Sequence, residues 1–165
     1  MTMPMHRDDW LALTPEDPIE PELPILDPHH HLWHRGNSRY LLQDIVADTT
    51  DHRVKQTVFI ECSAMYRASG PNELKSVGET EFVQGVAAMS ANGGFGKTAV
   101  AAAIVGTADL SLGANVTAVL EAQLAASPQR FRGVRHRAAW PGGEPIIGEP
   151  RSAPHLLLED KFRRG

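Results

Sequence analysis

The feature that most narrows the choice of fold is an alternation of strand-like apolar runs with helix-periodic stretches. Residues 54–63 (VKQTVFIECS), 99–110 (AVAAAIVGTADL) and 131–140 (FRGVRHRAAW) read as strands, the first two as buried ones. Residues 23–31 open on a short apolar run and end in polar residues, which predicts a further strand ahead of them. Between these lie a short helix over 38–51 and a longer one over 72–92, with Leu74, Val77, Phe82, Val86 and Met89 at mostly helical spacing. Ala91-Asn-Gly-Gly closes that helix. A third helix over 113–127 carries Val116, Val119, Leu120 and Leu124 and ends at Ser127-Pro128. A loop over 141–145 and a last helix over 153–162 complete the series. Strands separated by helices must run parallel, because a crossover helix returns the chain to the same end of the sheet. Four such units suit either a small doubly wound sheet or half of a (β/α)8 barrel, whose usual size is about 250 residues. Length alone favours the open sheet.

With 165 residues, the chain suits one domain, and 42% hydrophobic against 22% charged residues is the balance of a soluble globular protein. Residues 1–22 are rich in Pro, Asp and Glu without a period and are expected to form an extended arm ahead of a domain over 23–165. A net charge of −4 does not call for nucleic acid or an acidic membrane surface. The single cysteine, Cys62, excludes an internal disulfide and suits a reducing compartment. There is no apolar leader, and the longest apolar run, 99–105, falls far short of the ~20 residues a membrane span needs. The expectation is a cytoplasmic enzyme, or a fragment of one, acting on a small molecule.

The sharpest chemical signal is Asp27-Pro28-His29-His30-His31-Leu32-Trp33. Side chains on a strand alternate between faces, so His29 and His31 share one face and His30 takes the other. Two imidazoles at i and i+2 on a rigid backbone suit a divalent ion, zinc first. Asp27, one pleat earlier, is placed to orient a histidine from behind. Three adjacent histidines also suit a plain polar turn, and the residues alone leave both readings open.

Following the apolar Ile25-Leu26, the motif resembles the opening strand of the amidohydrolase-related family, which includes lactonases acting on sugar lactones and pyrone dicarboxylates. That strand carries Asp-x-His-x-His, often with an aromatic residue after it, and Asp27, His29, His31 and Trp33 match it. The resemblance runs by order of elements over residues 23–162, through a second strand ending in Glu61, a helix with Glu79-Thr-Glu-Phe82, and a fourth strand with Gly133-Val134-Arg135-His136. It implies a (β/α)8 fold and hydrolysis of a lactone, ester or amide-like bond, with His29 and His31 helping to hold a divalent metal, most simply zinc. It also implies further ligands, histidines on the fifth and sixth strands and an aspartate on the eighth, which have no counterpart here because the series stops after the fourth strand. Some lactonases of the family use the same histidines on substrate without a metal. The chain is therefore expected to be the N-terminal half of such a barrel with an incomplete site and little turnover. A truncated gene product, a partial gene model and one part of a split enzyme all fit that expectation.

Other positions have narrower roles. Arg135, near the end of the fourth strand, could grip a substrate carboxylate with its planar guanidinium, while His136 points to the opposite face. Glu61 could line the site or pair with an arginine, and Asp109 ends the third strand in the same manner. The four arginines over 130–137 also suit strand ends with solvated charges. Cys62 alternates away from Glu61 and reads as a buried structural thiol. Residues 91–98 (ANGGFGKT) fit a loose phosphate-loop pattern and raise an alternative, a nucleotide-binding module, but a phosphate loop follows a strand and opens a helix, the reverse of the order expected here. Another alternative is a non-catalytic half barrel that assembles with a partner. Four parallel strands leave two unpaired edges and a bare face, which invite self-association.

Overall fold

The computed structural model describes residues 8–140, 142 and 152–165. The loop expected over 141–145 lies outside them apart from Gly142. The strands are β1 (Ile25–His30), β2 (Trp33–Arg35), β3 (Ser38–Tyr40), β4 (Val54–Ile60), β5 (Ala99–Gly106) and β6 (Phe131–Val134). The helices are α1 (Asp8–Leu11), α2 (Leu42–Asp48), α3 (Val77–Ala91), α4 (Thr117–Ala126) and α5 (Asp160–Arg163). Strands β1, β4, β5 and β6 form one parallel sheet in that order, so neighbours in space follow the order in the chain with no reversal. The protein is an α/β fold built on a parallel sheet.

Parallel neighbours in register share a face, which sorts the side chains into two sets. His30 pairs with Phe59, Phe59 with Ile104, and Ile104 with Phe131. All four are buried; Phe59, Ile104 and Phe131 share one cluster with Leu42, Ile45, Val83 and Val86 of α2 and α3, and the His30 ring lies against Phe59. The other set is Leu26 beside Gln56, Val58 beside Ala103, and Ile60 beside Val105 and Gly133. None of these is buried, and Leu26 is 58% exposed.

Local chemistry explains most element ends. The Asp44 carboxylate accepts the Leu41 N–H (2.8 Å) and starts α2. Helix α3 stops at Ala91, followed by Gly93 in the left-handed region at φ +80°. Helix α4 stops before Pro128, and the Ser127 hydroxyl ties it to α3 through Gln84 Oε1 (2.6 Å).

Three expectations change. Residues 33–40 form the antiparallel hairpin β2–β3, whose Trp33 and Tyr40 rings stack at 5.2 Å, ahead of a shorter α2 than the one read over 38–51. Met89 and Leu124 are exposed rather than core. Helix α3 instead buries small and polar residues, including Gly78, Glu79, Thr80 and Ala87. At Gly78 an added Cβ would sit 2.6 Å from the Arg67 nitrogen, so glycine permits this close approach. The expected strands over 99–110 and 131–140 also stop early, at Gly106 and Val134, and their remainders form loops at the sheet's carboxyl edge. In the arm, residues 12–22 are exposed throughout.

Candidate functional site

The carboxyl ends of the parallel strands gather most of the candidate residues at one edge of the sheet, where such folds place their chemistry. β1 delivers His29 and His31, whose rings meet edge to face with centroids 4.9 Å apart. His31 follows the last residue of β1, and its Nδ1 lies 2.8 Å from the Ile60 carbonyl oxygen at the end of β4. With the Nδ1 proton donated there, Nε2 is left as the coordinating atom, the arrangement ligating histidines usually show. Burial depresses the His31 pKa below the ordinary histidine value against the pull of that carbonyl, and the His29 and Arg135 charges add to the depression. The ring is thus kept neutral, as a metal ligand must be.

His30 turns the other way, into the core, with its ring against Phe59 and Nε2 2.9 Å from the Thr57 hydroxyl. Burial lowers its pKa to about 4. The same hydroxyl accepts the N–H of Ala101 (2.9 Å), a buried residue of β5 held at φ +53°. Asp27 acts on His29 through the main chain, its Oδ1 accepting the His29 N–H at 3.0 Å. The aspartate therefore shapes the turn over Pro28 rather than gripping a ring.

Glu61, 2% exposed, is the electrostatic centre of this edge. Arg135 donates to it twice, from Nε to Oε1 at 2.8 Å and from Nη2 to the backbone oxygen at 2.6 Å, and Arg137 Nε lies 3.4 Å from the same Oε1. Arg135, read from the sequence as a substrate grip, is thus committed to Glu61. Glu61 and Arg137 instead join the walls of a cavity of about 490 Å³ over the ends of β4, β5 and β6, with Ser63, Tyr66, Asp109 and His136. His136 faces this cavity while Arg135 turns to Glu61, and Asp109 stands 3.7 Å from the His136 ring.

Ser63, Tyr66 and Arg137 were not singled out from the sequence, and the residue that shapes their loop was named there only as part of an acidic helix. Glu79 of α3 is 1% exposed and accepts the N–H groups of Cys62 (3.0 Å) and Ala64 (2.8 Å) on one oxygen. Between and beyond these anchors Ser63 and Met65 sit at φ +62° and +55°, a costly conformation for side-chain-bearing residues. Burial raises the Glu79 pKa above the ordinary carboxylate value. Cys62 itself is buried, its thiol reaches the Leu32 carbonyl (3.4 Å), and burial pushes its pKa up to about 12, the opposite of an activated nucleophile.

A catalytic zinc takes three protein ligands and leaves one position open. His29 and His31 have the right donor chemistry for two of them. Among the described residues, no group of three or more His, Cys, Asp or Glu side chains is placed to share an ion. In residues 91–98, α3 precedes the loop and β5 follows it, so the strand–loop–helix order of a nucleotide phosphate loop is absent there. Among the described residues no helix is long and apolar enough to cross a membrane. No family model, curated protein or solved structure matches the chain.

Proposed function

We propose that this edge of the sheet is a hydrolytic site of the amidohydrolase-related, lactonase-like type, carried on four consecutive units of (β/α)8 architecture. Its substrate class is a small molecule with a lactone, ester or amide-like bond. The observation that carries the reading is the meeting of His29 and His31 at 4.9 Å, with His31 oriented by the Ile60 carbonyl. The sequential strand order is also that of consecutive barrel strands, where an open doubly wound sheet would reverse direction. A divalent ion bound by the two imidazoles would polarise the scissile carbonyl and acidify a bound water. His29 and His31 are not among the walls of the neighbouring cavity; Arg137 and Ser63, which are, would orient the polar end of a substrate reaching into it, while Arg135 would hold Glu61 in place.

Two imidazoles hold zinc weakly, so turnover by the chain alone is expected to be slow. Zinc affinity, read by competition with a chromophoric chelator, should fall at least tenfold in His31→Ala and again in His29→Ala/His31→Ala. Lactone hydrolysis with added zinc should fall in the same order. Zinc and substrate binding unchanged in the double variant would end this reading.

A second reading, a half barrel that assembles with a partner instead of acting alone, is favoured by one observation. The face carrying Leu26, Val58, Ile60 and Val105 is not buried, whereas all-parallel sheets are ordinarily covered on both faces.

A further inference from the structure

At the opposite, amino edge of the same sheet lies a second cavity, of about 330 Å³, between the end of α2 and the segments that lead into β4 and β5. Its titratable wall residues are His52, Arg53, Lys55 and Lys97, and among the described residues no carboxylate lines it, although the chain as a whole is acidic. A concentration of one sign of charge in a concave, partly apolar site focuses the field on an anion. Phe95 and Val46 supply the apolar part of the wall.

The surrounding backbone blunts one feature that would repel an anion. The C-terminal end of α2 would present free carbonyls here, but Thr49 and Thr50 cap three of them: their hydroxyls donate to the oxygens of Ile45 (2.8 Å) and Val46 (2.9 Å), and their N–H groups donate to the oxygens of Ile45 and Ala47. The glycine-rich loop on the other side adds donors. Gly96 stands at φ +111°, and among the described residues no acceptor takes the N–H of Gly96 or of Lys97. Successive backbone N–H groups in such a turn favour anions. Arg53 is partly neutralised by Glu22 at 2.9 Å, which leaves Lys55 and Lys97 as the main cationic walls.

We propose that this amino-edge cavity binds the phosphate group of a small phosphorylated molecule, held by Lys55, Lys97 and the Gly96–Lys97 backbone. The volume is at the lower end of ligand pockets, which suits inorganic phosphate or a short phosphomonoester better than a whole nucleotide. It lies at the other end of the strands from His29 and His31 and does not depend on the hydrolytic reading.

The test is calorimetric titration of the full chain with inorganic phosphate, glycerol 3-phosphate and ATP, each at two salt concentrations, with chloride as the charge-only control. Phosphate and glycerol 3-phosphate are expected to bind, more weakly at higher salt. Affinity should fall at least tenfold in Lys55→Gln/Lys97→Gln and should be unchanged in His29→Ala/His31→Ala. Gly96→Ala, which loads a side chain onto a positive-φ position, should weaken binding independently of charge. Lys55 and Lys97 are exposed, so circular dichroism is expected to show the lysine variants folded. Absence of binding by either phosphate ligand, or binding unaffected by the lysine substitutions, overturns the proposal. Binding of ATP alone overturns the assignment to a small phosphomonoester.

Discussion

The two faces of the parallel sheet are built from the same strands yet differ in almost every physical respect. On the helix-covered face Phe59 and Ile104 are 0% exposed and Phe131 only 6%, packed under α2 and α3. On the other, Val58, Ile60, Ala103 and Val105 retain partial access to solvent, and Leu26 is more than half exposed. Adjacent residues of one strand therefore differ in what they contribute, although both are apolar. Hydrophobic stabilisation scales with the area removed from water, and so it should concentrate on one face.

The largest expected effect separates the faces directly. Phe59→Ala empties a fully buried site and should cost about 3–5 kcal/mol, while the neighbouring Val58→Ala should cost about 1 kcal/mol, since it is smaller and part of its surface is already wet. Urea unfolding midpoints at low protein concentration measure both. Equal losses would mean that the second face is covered in solution.

The covered face also holds His30, which gives the comparison a pH axis. Its folded pKa is lowered to about 4 against an ordinary value near 6.5. The unfolded chain therefore binds this proton more readily than the folded one. Stability is fully present above about pH 6.5 and is lost as pH falls towards 4, by ~3 kcal/mol for a shift of this size. Unfolding at pH 7 and pH 4.5, in the presence of EDTA so that no metal is linked, should show this loss, and His30→Gln should flatten it. His31, whose pKa burial also lowers, should add a loss of the same sign. An unchanged slope in His30→Gln would place the acid sensitivity elsewhere.

Much of this layout is legible in the residues, and what is hidden has specific causes. The alternation of strands and helices shows because buried strands must be apolar runs, and β4 and β5 are. The opposite orientation of His30 from its neighbours follows from strand geometry alone. The hairpin over 33–40 is hidden because its strands are only three residues long and largely polar. Met89 and Leu124 mislead because helical spacing marks a stripe but not what lies against it. Leu124 sits at the unpaired edge of β6, in a groove with Leu120 and Phe131, where no further element among the described residues covers it. At the site, Arg135 and Glu61 are 74 residues apart in the chain, and nothing local reveals that each is the other's partner. Glu79 is hidden for a different reason: a carboxylate in the first turn of a helix ordinarily answers the helix dipole at the surface, whereas here it is buried to hold the strained loop at Ser63.

The smallest expected effect probes the uncovered face by itself. Val105→Thr exchanges a methyl for a hydroxyl at a half-buried position that pairs with Ile60 and Gly133. In an isolated chain the hydroxyl keeps its water, and the cost should stay within about 1 kcal/mol. Ile104→Thr, one residue away on the covered face, buries an extra hydroxyl and should cost several times more. If the second face instead packs against a partner or another copy of the chain, the cost of Val105→Thr should grow with protein concentration, because association stabilises by mass action. Unfolding midpoints at two concentrations a hundredfold apart, alongside sedimentation velocity, distinguish the two cases. A concentration-independent small loss with a monomeric profile would leave the face bare and remove the reading in which assembly completes the fold.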